Sequence, residues 1–185
     1  MSGRPGSGKS TVAKALAETL GVQHASAGDF MREMAAERGI SVLELSRIAE
    51  HDPSIDDEID ARSARLGAGD ESLVIDSRLA WHFIPASIKV FLDVALEVAA
   101  ERIYGARRGS EQENVDLDAT RRSTEERAHS EALRYQSYYG IDYLDSSNYD
   151  LVIDTSRREV DDVVGEIVRY ITAGRRPGAP GERGA

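Results

Sequence analysis

The chain contains no cysteine, which excludes disulfides, thiolate metal sites and a cysteine nucleophile. Lysine is nearly missing too. Lys9, Lys14 and Lys89 are the only three, and every other basic side chain is arginine. No run approaches the roughly 18 apolar residues of a membrane span. The first residues lack the apolar core of a signal peptide, so a cytoplasmic protein with no membrane partner is expected. A basic excess is also lacking: the formal net charge is −10, which argues against a nucleic-acid backbone as partner. The 185 residues suit a single domain.

What is present begins at once. Gly3, Arg4, Pro5, Gly6, Ser7, Gly8, Lys9 and Ser10, with Thr11 behind them, match G-x-x-x-x-G-K-[ST]. Glycines in this spacing let successive backbone N–H groups turn inward on a phosphate, and the helix that follows adds the positive end of its dipole. In that reading Lys9 reaches the β- and γ-phosphates and Ser10 ligates Mg²⁺. A plain glycine turn before a helix is the alternative. Such a loop normally hangs from a buried strand, yet only Met1 and Ser2 precede Gly3. The expectation is that the natural protein starts several residues upstream, and that this chain folds poorly for want of a central strand.

From Lys9 the pattern is helical, with Val12, Leu16 and Leu20 recurring every fourth residue up to Gly21. Helices are also expected over 29–38, from a Ser41/Glu44 capping box to about 51, over 54–66 behind Asp52-Pro53, over 95–108 and over 118–139. A last helix is expected behind Ser156 and Glu159. Strands are expected at 22–26, 72–76, 88–93 and 149–155, which makes four. Apolar strands alternating with amphipathic helices give an α/β fold with a parallel sheet covered on both faces. Residues 174–185 are Gly/Pro/Arg-rich and expected to be disordered.

Asp76 closes "LVID" and stands where a strand-end aspartate holds Mg²⁺ through water; an ordinary strand-end cap is the alternative. No N-K-x-D follows, which removes GTPases. Arg78 lies just past the same strand end, where ligands bind in open α/β sheets. Arg127 and Arg134, seven apart on one helix, return to nearly one face. Arg32 sits one turn into its helix, and Arg102, Arg107 and Arg108 flank a polar stretch. Any single arginine is by default a solvated one. Several at the mouth of a P-loop sheet suggest a phosphate cage. His24, His51, His82 and His129 lack ligand spacing.

"SAGDFMREMAAERGISVLELSRIAEHDPSIDDEID" and "YYGIDYLDSSNYDLVIDTS" closely resemble the short, archaeal-type cytidylate kinases of the nucleoside monophosphate kinase group. "RIYGARR" resembles the lid entry of adenylate kinases. The likeness covers about residues 2–172. It implies a three-layer P-loop kinase fold over 1–173, its first strand largely missing, with monophosphate-binding helices at about 28–67 and a lid at about 104–118. It implies phosphoryl transfer from ATP to CMP or dCMP, with Mg²⁺; a monomer is expected. Gly3–Thr11 would bind ATP with Arg102, Arg107 and Arg108. Ser26, Asp29, Arg32 and Arg78 would line the monophosphate site, and Arg127 and Arg134 would bridge both nucleotides. Lys9, Arg78, Arg127 and Arg134 would then be catalytic. Glu131, on the face of Arg127 and Arg134, would hold their side chains when no nucleotide is bound. "IDSR" departs from the family in carrying Ser77 where a glycine is usual. Adenylate kinase, a non-catalytic NTP-binding switch and an inactive fragment are the alternatives.

Overall fold

In a computed structural model, residues 1–106 and 116–174 are described. Among them the order is β1 (Ser2–Gly3), α1 (Lys9–Leu20), β2 (Gln23–Ser26), α2 (Ala27–Glu37), α3 (Val42–Ala49), α4 (Pro53–Gly67), β3 (Leu73–Asp76), α5 (Ala80–Phe83), β4 (Val90–Asp93), α6 (Leu96–Ala106), α7 (Leu117–Tyr139), a 3₁₀ turn (Ser146–Asn148), β5 (Leu151–Asp154) and α8 (Val160–Thr172). All strand pairs are parallel: β2 with β3, β1 with β4, and β4 with β5.

The expectation of four strands is corrected to five among the described residues. The first is only two residues long, with Ser2 opposite Phe91 and Gly3 opposite Leu92. Met1 carries this stub across to β3. Its amine donates to the Ile75 carbonyl at 2.6 Å, and Ser77 N–H donates to the Met1 carbonyl at 3.0 Å. Ser2 Oγ donates to the Arg78 carbonyl at 3.0 Å, and Arg4 N–H to that of Leu92 at 3.1 Å. The spatial order is therefore β2-β3-β1-β4-β5. Backbone groups on the inner edges of β3 and β4 that water would otherwise have to serve are paired in part by three residues.

Side-chain alternation on β4 assigns the layers. Val90 and Leu92 join Val12, Leu16, Val163 and Ile167 in the cluster under α1 and α8. Phe91 points the other way, into Leu79, Tyr135, Ile141 and Tyr143 beneath α7. The sheet is thus buried on both faces, which is why its strands read as continuous apolar runs. A third cluster, Met34, Ala35, Leu45, Ala49, Ile55 and Ile59, belongs to α2, α3 and α4 alone.

Local signals place the ends well. Ser41 and Glu44 form the capping box of α3, and Asp52 caps α4 with Pro53 in its first turn. Ser156 does not cap α8. Its Oγ lies 2.6 Å from the Asp154 carboxylate, and Ala95 N–H donates to it at 2.9 Å. The N-cap is Glu159, with no side-chain cap bond. The residues just beyond a parallel strand already have an acceptor in Asp154, and Ser156 is taken by it. No described helix is long and apolar enough to cross a membrane. The expected disorder beyond 174 lies outside the described residues.

Candidate active site

The loop between β1 and α1 runs over the carboxyl end of the sheet. Gly6 has φ 75°, and a Cβ there would stand 2.7 Å from Ala99 Cα on α6. Gly8, at φ 78°, is the N-cap of α1, a left-handed position that glycine adopts without a Cβ clash. Both conformations turn the loop around the start of α1, so its first amides face outward as donors. Thr155, just past β5, anchors the loop from outside: its Oγ1 donates to the Ser7 carbonyl at 3.0 Å. Arg102 on α6 holds Thr155 in turn, Nη2 donating to its carbonyl at 2.7 Å. Arg4 Nε donates to Asp93 at 2.7 Å.

Lys9 and Ser10 both meet Asp76, which is 1% exposed. Ser10 Oγ donates to Oδ2 at 2.5 Å, and Lys9 Nζ is ion-paired with Oδ1. Burial, then the Arg78 guanidinium, push the Lys9 ammonium down from its ordinary value, and Glu131 opposes them. The Asp76 carboxylate in contact with it pulls the same way as Glu131. Asp76 Oδ1 has no hydrogen-bond donor, so beyond the Lys9 ion pair it keeps acceptor capacity. A hydroxyl and one carboxylate fit Mg²⁺, a hard cation that keeps several waters and takes few protein ligands. Among the described residues no group of three His, Cys, Asp or Glu forms a fuller metal cage.

Arg78 lies past β3 and Arg127 on α7, and Glu131 joins them. Arg78 Nε donates to Oε2 at 2.7 Å and Arg127 Nε to Oε1 at 3.2 Å. Burial works to raise the Glu131 carboxyl, but the charges and hydrogen bonds of the two arginines hold it at about 2. Arg134 takes a different partner from the one expected. Its Nε lies 2.8 Å from Asp56 Oδ2 on α4, close enough to attract but outside hydrogen-bond geometry. Glu131 is already occupied by Arg78, and the α7 surface at Arg134 faces α4 rather than the loop.

On the other side of the cleft, Arg32 and Asp29 pair with each other on the exposed edge of α2. Ser26, 5% exposed, ends β2 and is the N-cap residue of that helix, with no side-chain cap bond. Arg107, Arg108 and most of the 104–118 stretch lie outside the described residues. Sequence reasoning missed Asp56, Asp60 and Tyr139. Tyr139 Oη donates to Asp60 Oδ2 at 2.9 Å, and Tyr138 Oη donates to the carbonyls of Ala49 and Glu50 at 3.1 and 3.0 Å. These contacts tie α7 to α3 and α4. The i,i+4 spacing of Asp56 and Asp60 was a signal, but in so acidic a run it reads as a solvated face.

The profile of the cytidylate kinase-like family matches residues 1–157. The chain belongs to that family. A cytidylate kinase of Methanothermobacter thermautotrophicus is 45% identical over 155 residues, covering 84% of this chain and 92% of that protein. One from Natronomonas pharaonis is 42% identical over 175 residues, covering 94% and 88%. Among solved structures, a Bacteroides thetaiotaomicron shikimate kinase superposes with a TM-score of 0.64 at 16% identity, covering 92% of this chain and 96% of that one. An uncharacterized protein of Eubacterium ventriosum gives 0.68 at 23% identity, covering 94% and 96%. These two likenesses are of fold, and they agree with an α/β P-loop kinase. As a cytidylate kinase-like protein, the chain carries its loop lysine, strand-end aspartate and Arg78 at one end of one sheet.

Proposed function

We propose that this protein is an ATP-dependent (d)CMP kinase, moving the γ-phosphoryl of ATP to CMP or dCMP and releasing ADP with CDP or dCDP. The observation that carries the reading is convergence. Lys9 and Ser10 on the loop, Asp76 on β3, and Arg78 and Arg127 from two further elements meet at the carboxyl ends of the strands, close enough for both guanidiniums and Glu131 to act on the Lys9 charge. Membership of the cytidylate kinase-like family supports the acceptor.

In this reading the loop Gly3–Thr11 wraps the triphosphate, with Arg102 on that side and Arg107 and Arg108 in the lid. Ser26, Asp29, Arg32 and Arg78 line the acceptor site on the α2–α4 side, residues 28–67, and Arg127 and Arg134 reach both nucleotides. Ser10 and, through water, Asp76 would hold Mg²⁺, which neutralises charge on the β- and γ-phosphates when bound. The bond from the γ-phosphorus to the β–γ bridging oxygen breaks as one to an acceptor phosphate oxygen forms. That oxygen is already anionic, so no side chain need remove a proton. Catalysis is then positioning and charge stabilisation. Lys9 exchanges the Asp76 carboxylate for phosphate oxygens, and the arginines neutralise the acceptor so that two anions can approach. The partners are small nucleotides, and the protein acts as a monomer.

ADP formation from ATP, measured in a coupled assay with CMP, dCMP, UMP, AMP or no acceptor, tests this. Turnover is expected to depend on the acceptor and to be fastest with CMP or dCMP. Equal ADP release without acceptor would overturn the kinase reading, and a preference for AMP would overturn the substrate alone.

A further inference from the structure

Glu131 does something that a surface ion pair on α7 does not. An exposed i,i+4 pair with Arg127 would stabilise the helix only slightly. Here Glu131 is 9% exposed, and its second carboxylate oxygen crosses to Arg78 just past β3. Arg78 is itself largely buried, with 13% of its side chain exposed. Two guanidiniums drawn from distant parts of the chain repel one another when both aim at one place. The carboxylate between them removes that repulsion by giving one oxygen to each.

The contact geometry is selective. Each arginine uses its Nε, and among the described residues neither guanidinium has another hydrogen-bond acceptor. A guanidinium carries five N–H donors, four of them on Nη1 and Nη2. The ends of both forks therefore stay available while their necks are fixed. Arg134, also one turn from Glu131 on α7, is left out and pairs with Asp56 instead. The carboxylate thus sorts the arginines: it keeps Arg78 and Arg127 and leaves Arg134 to Asp56.

We infer that Glu131 is a positioning residue for phosphoryl transfer: it holds Arg78 and Arg127 side by side by their Nε atoms so that both forks grip the acceptor phosphate. This rests on the proposed kinase reading. It differs from a placeholder role, in which Glu131 competes with the phosphate and must be displaced. A placeholder predicts tighter monophosphate binding when Glu131 is neutralised; a positioning carboxylate predicts weaker.

The test is calorimetric titration of CMP into the full-length protein and its Glu131→Gln variant, with steady-state kinetics on both. The substituted amide keeps the shape but loses the charge and one acceptor. The Kd and KM for CMP are expected to rise about tenfold or more and kcat to fall by a similar factor, with the KM for ATP rising by a clearly smaller factor, since Arg127 alone of the pair also reaches ATP. Adding Arg127→Ala is expected to cost much less in the Glu131→Gln background than in the wild type, since the two act as one unit. A purely structural role would not produce that split or that coupling. Unchanged or tighter CMP binding, or additive effects of the two substitutions, would overturn the inference. Wild-type protein that binds no nucleoside monophosphate would overturn the kinase reading first. Should thermal melting show Glu131→Gln unfolded, Glu131→Asp serves instead. It keeps the charge but is too short to reach both arginines, and it is expected to show the same direction with a smaller change.

Discussion

Arg78 performs several tasks at once, and its replacement separates them. The side chain pairs with Glu131 and faces Lys9, while its carbonyl accepts from Ser2 Oγ and from Trp81 Nε1 at 2.9 Å. Arg78→Ala keeps the backbone bonds and leaves a buried carboxylate with Arg127 as its one cation among the described residues and with the Tyr143 hydroxyl, which donates to Oε2 at 3.5 Å. We expect the KM for CMP to rise tenfold or more, ATP affinity to change little, and thermal melting to show a loss of about 1–3 kcal/mol from the half-paired acid. Gly6→Ala is expected to act in the opposite sense. A Cβ 2.7 Å from Ala99 at φ 75° forces loop and α6 apart, so ATP binding falls at least tenfold while CMP binding is nearly unchanged. The backbone strain costs about 1–3 kcal/mol. Titration of each nucleotide separately checks both. At this scale much was legible, because the phosphate loop is a local motif whose residues act within one turn of each other. Not every partner was: Glu131 was expected to hold Arg127 and Arg134, and it holds Arg127 and, in place of Arg134, Arg78, which only tertiary packing brings near α7.

Between elements, α4 meets α7 through polar groups that the sequence presents as ordinary surface charge. Asp60 is 8% exposed. Burial pushes its carboxyl up to about 7, with Asp56 and Asp57 adding to the shift and the Tyr139 hydroxyl opposing it. A raised acid pKa means that the folded state holds a proton which the unfolded chain has released between about pH 4 and 7. The stability supplied by this site is therefore full below about pH 4, is lost as pH rises to about 7, and is flat above. Asp60→Asn, which retains an acceptor for Tyr139, should raise the melting temperature most at pH 8 and by a shrinking amount towards pH 5. The effect is on the order of 1–3 kcal/mol at the alkaline end. An equal gain at all pH values would show that Asp60 titrates normally. Helix ends were largely legible here, because Ser41–Glu44 and Asp52-Pro53 are sequence-local caps. Which face of α4 is buried was not, because Ile55 and Ile59 alternate with acids that turn out to be covered as well.

Across the whole molecule, one chromophore reports on the cleft. Trp81 is the only tryptophan, and it sits three residues beyond Arg78 with its indole N–H on the Arg78 carbonyl and its ring edge-on to Tyr149 at 5.4 Å. Monophosphate binding, which sets a dianion against Arg78, is expected to change the Trp81 emission, saturating at the calorimetric Kd. ATP alone, bound on the loop side, should give a smaller change. A fluorescence titration with CMP and with ATP checks this, and equal responses would mean that Trp81 senses overall closure rather than the acceptor site.

By itself the sequence determined the class of fold, the phosphate loop, the strand-end aspartate and the family. Each depends on periodicity or on a motif read along a short stretch, where local backbone preference and fixed spacing carry the information. Tertiary structure alone decided how a two-residue strand is seated between β3 and β4, which carboxylate serves which arginine, and which acids on α4 are buried. Those outcomes depend on contacts between residues many positions apart, formed when sheet and helices pack, and no spacing along the chain encodes them.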